Sequence, residues 1–280
     1  KVIPMSIQPY LEKIIPFFMK LLTIETEKNN IDSASEKVED FNDDEYEEDF
    51  LPIKMQCTVL NALAELVSDL PSQMSEAIPG IVEAVRHFFE HSDERLHSAA
   101  AKSILLMNDG LRFVSYDISP LITIVAEQII NSNCLQESID VISELFIALG
   151  SLLSVTTFDK LNQAQIESII GLFQQSFDGR LKVIYSSQKV LDQEILDSLF
   201  FSLRMFILTL GSNIGNNNLA DIFVSFLCPH LSINKSMIKA YVANIYGIMF
   251  FAAPSLKQIG KTARDTCLKT MTKKNGVVNN

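Results

Sequence analysis

The chain contains no tryptophan, and only ten glycines and nine prolines in 280 residues. So few turn formers exclude a sandwich or barrel of many short strands, which needs a turn roughly every ten residues. Its four cysteines, Cys57, Cys134, Cys228 and Cys267, stand far apart, with neither CxxC nor metal-ligand spacing. That argues against a zinc module or a redox dithiol and reads as isolated buried thiols of a reducing compartment. Basic residues are the minority, 23 Lys and Arg against 34 Asp and Glu, for a net charge of −11. Nucleic-acid phosphates call for a cationic stripe, so direct nucleic-acid binding is not expected. No apolar run reaches the roughly 18 residues of a membrane span. The greasiest stretch, Leu199 to Leu210, is interrupted by Arg204, and membrane insertion is not expected. The phosphate-cradling GxxxxGK[ST], the GxGxxG turn, the GxSxG elbow and HExxH are all missing. The expectation is a protein that is not an enzyme, with no cofactor and no catalytic or metal residue.

What is present is helical material. The chain is 48% hydrophobic and 20% charged, ample for a core. Three segments repeat one pattern, an isolated proline followed by an apolar helix: IIPFFMKLL from Ile14, AIPGIVEAVRHFF from Ala77 and ISPLITIVAEQI from Ile118. Proline costs least in a helix's first turn, where its missing N–H has no partner to lose. Pro79 and Pro120 are 41 residues apart, and Pro16 and Pro79 are 63 apart, a similar period plus an insertion. A second helix follows each. The clearest is DERLHSAAAKSILLM from Asp93, with Asp93 as N-cap and Ala99, Ala100 and Ala101 as helix formers that admit a close neighbour. The reading is all-α, a right-handed α-α superhelix of about five helix pairs and a terminal helix. The pairs fall at about 7–22 with 52–70, 76–91 with 93–113, 117–132 with 134–153, 159–178 with 189–211, and 216–231 with 234–252, before a last helix at 255–273. A first residue other than Met and a last helix without a partner suggest residues 1–280 are one solenoid fragment of a larger protein.

The acidity is local. Residues 36 to 49, EKVEDFNDDEYEED, carry nine carboxylates against one Lys, and the rest of the chain sums to −3. Glu39, Asp40, Asp43, Asp44, Glu45, Glu47, Glu48 and Asp49 therefore form an acidic loop, within an insertion at 23–51 between the helices of the first pair. Blocks of like charge usually stay solvated, but they also steer basic partners. Phe41, Tyr46 and Phe50 interleave with the carboxylates.

The helix from Asp93 resembles the second helix of a HEAT repeat, and the proline-led helix before it resembles the first. The run from Lys54 to Met107, the helices around Ser143 to Leu153, and FVSFLCPHLS from Phe223 are similar to the importin-beta (karyopherin-beta) family of nuclear transport receptors, most nearly the importin-beta-three class. The likeness runs from about Ile7 to Ala253. It departs at GRLKVIYSSQKV, from Gly179, where that class tends to be acidic. The resemblance implies a receptor segment that binds basic localisation signals of cargo proteins on a concave face. It also implies contacts with FG nucleoporins, cargo release by Ran-GTP (with repeats outside this chain), and shuttling between cytoplasm and nucleus through nuclear-envelope pores. The alternative is a HEAT-repeat scaffold that organises a multiprotein complex without transport activity.

In this family second helices line the concave face. Asn61, Glu65 and Asp69 recur every fourth residue, Glu137, Asp140 and Glu144 are spaced by three and four and so also share one helical stripe, and Glu194 with Asp197 extends the row. These are the candidate cargo-binding residues, and they equally suit a plain solvent-facing stripe. Lys235 and Lys239 break the row in the fifth pair. His87, His91 and His97 could be ligands, but the first two fall in a last helical turn, where imidazole favourably meets the dipole. Phe88, Phe89, Phe250 and Phe251 could frame pockets for FG repeats, although phenylalanine at helical spacing is more often core.

Overall fold

The computed structural model describes residues 8–23, 43–114, 116–135, 139–178, 192–215, 219–232, 236–253 and 265. Among them the protein is all-helical, with no strand. The α-helices among the described residues are α1 (Gln8–Leu22), α2 (Asp43–Asp69), α3 (Pro71–Met74), α4 (Ile78–Glu90), α5 (Glu94–Leu111), α6 (Ser119–Leu135), α7 (Ile139–Ser154), α8 (Gln163–Asp178), α9 (Asp192–Leu210), α10 (Leu219–Leu227) and α11 (Ser236–Ala252). The chain divides into two compact units, Lys1–Tyr116 and Asp117–Asn280.

In the first unit, α4 shows how sequence sets the packing. Pro79 sits in its first turn, and Ile78, Ile81, Val82, Val85, Phe88 and Phe89 are buried. Those positions trace one helical stripe. Each such side chain gains about 1.5–3 kcal/mol from full burial. The next helix, α5, opens on Asp93, whose carboxylate accepts the Arg95 backbone N–H at 2.9 Å. Its buried residues include Leu96, Ala99, Ala100, Ala101, Ile104, Met107, Gly110 and Leu111, more than one stripe can hold. Two neighbours account for this, since α5 packs against both α2 and α4. Cys57 approaches the Arg95 carbonyl, and Gly110 lies against Val67 and Ser68. The contact advances along both helices together, so α2 and α5 run parallel. On the other side α1 packs on α2 and on α4.

The second unit repeats these relations. Helix α6 packs on α7 and on α8, α7 on α9, α8 on α10, and α9 on α11. Helix α8 begins with a reciprocal cap. Asn162 Oδ1 accepts the Gln165 N–H at 2.9 Å, and Gln165 Oε1 accepts the Asn162 N–H at 3.0 Å. The Gln165 amide also donates to the Ser119 carbonyl and lies by the Thr123 hydroxyl, each at 3.0 Å, tying the start of α8 to the start of α6. Phenylalanines fill the centre. Phe146, Phe173, Phe206 and Phe223 follow one another from α7 to α10, with centroids 6.5, 6.0 and 6.0 Å apart. Phe177 meets Phe200 at 5.4 Å, and Phe200 stacks on Tyr241 of α11 at 4.8 Å.

Several boundaries differ from those read off the sequence. Helix α2 begins at Asp43, not near Pro52, so the second half of the acidic tract takes helical backbone. Carboxylates favour a helix N-terminus, where they meet the positive end of the dipole. Pro16 lies in the middle of α1 rather than in its first turn. Helix α10 stops at Leu227 and tightens to a 3-10 segment, Cys228–Ser232, where Pro229 supplies no N–H. The short α3 starts on Pro71 and was not foreseen. The segment from Gln193 to Gly215 is, by length and composition, apolar enough to cross a membrane, contrary to the sequence expectation. Its Leu199, Leu203, Phe206, Ile207 and Leu210 are all buried against other helices, which is how the core helix of a folded bundle passes the same test. The last helix expected at 255–273 lies outside the described residues, save residue 265.

Candidate functional site

Among the described residues, helices α7 and α9 build a groove that gathers predicted site residues. It is lined by Asp140, Ser143, Glu144 and Ile147 from α7 and by Glu194, Asp197, Ser198 and Phe201 from α9, and encloses about 600 Å³. The two helices run parallel. Gly150 meets Phe201 and Ser202, and the Leu153 carbonyl, further along α7, accepts the Thr209 hydroxyl at 2.8 Å. Each wall uses the same four positions of its helix, at intervals of three, four and seven residues from the first, and the two sets lie 54 residues apart. Side chains so spaced share one helical face.

Glycine at position 150 is what lets the walls close. A Cβ there would fall 2.6 Å from a ring carbon of Phe201 and 3.0 Å from Ser202 Cα. The ring of Phe201 therefore lies against bare α7 backbone, with its remaining surface half-exposed in the groove. Asp140, Glu194 and Asp197 are exposed and Glu144 is half-buried. Asp140, Glu194 and Asp197 make no ion pair with any described residue. Ser143 and Ser198 are buried between them. Ser198 donates to the Ile195 carbonyl at 3.0 Å, but Ser143 Oγ has no hydrogen-bond partner among the described residues.

Four of the eight predicted cargo-binding residues thus come together: Asp140, Glu144, Glu194 and Asp197. Glu137 lies outside the described residues. Asn61, Glu65 and Asp69 belong to the other unit, on α2; Glu65 and Asp69 are exposed, while Asn61 is half-buried with its Oδ1 unpartnered. Of the acidic loop, Glu39 and Asp40 lie outside the described residues, as does Lys235. Asp43, Asp44, Glu45, Glu47, Glu48 and Asp49 are placed only as backbone of α2. Ser143, Ile147, Ser198 and Phe201 were missed by a search for charge alone. The signal was present, because they complete the same helical stripes.

The other candidates resolve differently. Phe88 and Phe89 are core residues, whereas Phe250 and Phe251 are exposed. His97 is buried, with its Nε2 at 2.6 Å from the His91 carbonyl, and His91 Nδ1 accepts the Asp93 N–H at 3.1 Å. These histidines knit the turn between α4 and α5. Among the described residues no group of three or more His, Cys, Asp or Glu is placed to hold a metal ion. The groove carboxylates therefore do not converge on one ion; they are spread along two walls. Comparison with protein-family models and with curated proteins gives no match.

Proposed function

We propose that this chain is a HEAT-repeat solenoid segment that binds basic, extended polypeptide, in the manner of an importin-beta-type nuclear transport receptor. The observation that carries the reading is the α7/α9 groove, where four carboxylates from two parallel helices line one cleft. Three of them have no cationic partner among the described residues. A cationic peptide supplies that counter-charge. The packing supports the solenoid part: α1 on α4, α6 on α8 and α8 on α10 stack first helices, and α2 on α5, α7 on α9 and α9 on α11 stack second helices. On this reading the ligands are localisation signals of import cargo. Ran-GTP releases them, FG nucleoporins contact outer helices, and the acidic tract at 36–49 raises the encounter rate.

The test is a titration of a labelled Lys/Arg-rich peptide at about 50 and 200 mM salt, a range that strongly modulates surface electrostatics. Saturable, salt-sensitive binding is expected, and it should be lost when Asp140, Glu144, Glu194 and Asp197 are changed to their amides. Binding that instead vanishes on replacing residues 36–49 by a neutral linker would move the site to the tract. No binding at low salt would remove the cargo role and favour a scaffold.

A further inference from the structure

We propose that the α7/α9 groove is an arginine anchor, which takes one guanidinium side chain of the bound peptide in preference to a lysine. The inference rests on the basic-peptide reading above and specifies its chemistry. Three features of the lining point past simple charge attraction.

The first is Ser143. It is only 7% exposed, lines the groove, and has an Oγ without a partner. Serines elsewhere in these helices do not behave this way. Ser103, Ser176, Ser198 and Ser202 each donate to a carbonyl of the preceding turn. A buried hydroxyl left unpaired is uncommon. Its residue lines the same groove as the carboxylates, so a turn about its χ1 would offer a bound guanidinium an oxygen able to accept an N–H. The second feature is Phe201, half-exposed in the groove and seated against Gly150, with half-buried Ile147 at the equivalent position of α7. Both sit at the last of the four stripe positions, so one end of the groove is apolar. An aromatic ring there suits a flat cation that stacks. The third is the spread of the carboxylates over two walls, with no metal-binding convergence among the described residues.

A guanidinium satisfies all three together. It is planar, weakly hydrated and rigid, and its five N–H groups point in several directions within one plane. It can donate to carboxylates on both walls and to Ser143 while its face or stem covers Phe201. An ammonium is a compact, strongly hydrated charge with three donors, and gains little from the ring or from the buried hydroxyl. Charge complementarity thus selects a basic peptide, and the lining selects arginine within it.

The experiment uses the full chain and two peptides of equal length and charge, one with arginines and one with lysines at the same positions. Fluorescence anisotropy at low salt is expected to give at least roughly five-fold tighter binding of the arginine peptide. Ser143→Ala should weaken the arginine peptide about three-fold and leave the lysine peptide unchanged. Phe201→Leu, which keeps an apolar side chain there, should reduce the preference toward unity. Circular dichroism and thermal melting report whether either variant is misfolded, and Asp197→Asn, at an exposed position, provides a third variant. Equal binding of both peptides by the unaltered protein overturns the anchor while the basic-peptide reading stands. An arginine preference that survives both Ser143→Ala and Phe201→Leu overturns it too, because the selectivity then lies elsewhere. Failure of both peptides to bind overturns both readings.

Discussion

Replacing Gly110 by alanine probes how closely α5 lies on α2. A Cβ at Gly110 would stand 2.1 Å from the Val67 carbonyl oxygen, 2.6 Å from its carbonyl carbon and 2.9 Å from Ser68 Cα. Non-bonded heavy atoms are most favourable at about 3.5–4.0 Å, so α5 must withdraw by roughly 1 Å or more. All three atoms are backbone, and no rotamer change relieves the collision. Withdrawal loosens a seam between helices that bury Leu63, Val67, Ile104 and Met107. Overpacking of this kind costs about 1–3 kcal/mol, and a backbone collision belongs at the upper end. Alanine's better helix propensity offsets at most about 1 kcal/mol, less near a helix end such as this. The expected net loss is about 2 kcal/mol, or a fall of about 10 °C in the melting temperature of a unit this size. Gly171→Ala is the control. Its Cβ meets nothing within 4 Å, so it should stabilise by up to about 1 kcal/mol. Thermal melts, with hydrogen exchange of the 54–69 and 94–111 segments, separate the two. If Gly110→Ala proved neutral or stabilising, as its control should be, the parallel α2/α5 seam described above would be wrong.

Three further outcomes follow from contacts already described. Gly150→Ala should cost only about 1 kcal/mol, because most of the clash is with a Phe201 ring that can swing away. It should nevertheless weaken basic-peptide binding about three-fold, near 0.7 kcal/mol, whereas Gly247→Ala, whose Cβ meets nothing within 4 Å, should leave binding unchanged. Asp93 is held below the usual carboxylate range, chiefly by its hydrogen bonds with the Arg95 side chain. Its stabilisation is therefore present above the ordinary carboxylate pKa of about 3.9 and is lost as pH falls through the lower folded value. Asp93→Ala should cost about 1 kcal/mol at neutral pH, and a gap from the parent that did not narrow in acid would contradict the pairing. Burial first, and then the charge of Asp93, push the Cys57 thiol above its ordinary range. Alkylation of Cys57 should be slow at neutral pH and rise with pH, and Asp93→Asn should speed it; an unchanged rate would show that Asp93 does not reach the sulfur.

How far the sequence could be read depended on whether a feature was local. The α5 start was legible because an N-cap is written in adjacent residues, and Asp93 caps as expected. Helix α4 was legible because Pro79 and a run of apolar residues at helical spacing need no partner to be recognised. The start of α2 was not legible. Nine carboxylates in fourteen residues read as a solvated loop, yet helical backbone reaches back to Asp43. Pro16 sits inside α1 rather than opening it, although the helix itself, read at about 7–22, runs over nearly those residues. The groove was half legible. Its carboxylates were visible as stripes, but Ser143 and Phe201 acquire meaning only from neighbours distant in sequence. Nothing around Gly150 announces that a ring 51 positions later would lie on it.

The order of residues on the two walls bears on how the groove tolerates its own charge. At the second stripe position α7 has Ser143 where α9 has Asp197, and at the third α7 has Glu144 where α9 has Ser198. Serine and acid thus follow opposite orders along the two stripes, so the walls repeat an acid at the same stripe position only at the first, with Asp140 and Glu194. Within α9, however, Glu194 and Asp197 are three residues apart, a spacing at which like charges repel on one helix face. Neutralising Asp197 should relieve that repulsion. Asp197→Asn is expected to stabilise the protein by about 0.2–0.5 kcal/mol and to weaken a basic peptide about three-fold, near 0.7 kcal/mol in the opposite sense. Opposite signs are the mark of residues kept for a ligand at the expense of the fold. A plain solvent-facing stripe would show the small gain in stability and no change in binding. Paired thermal melts and peptide titrations on this one variant therefore decide between the two readings of the acidic stripes.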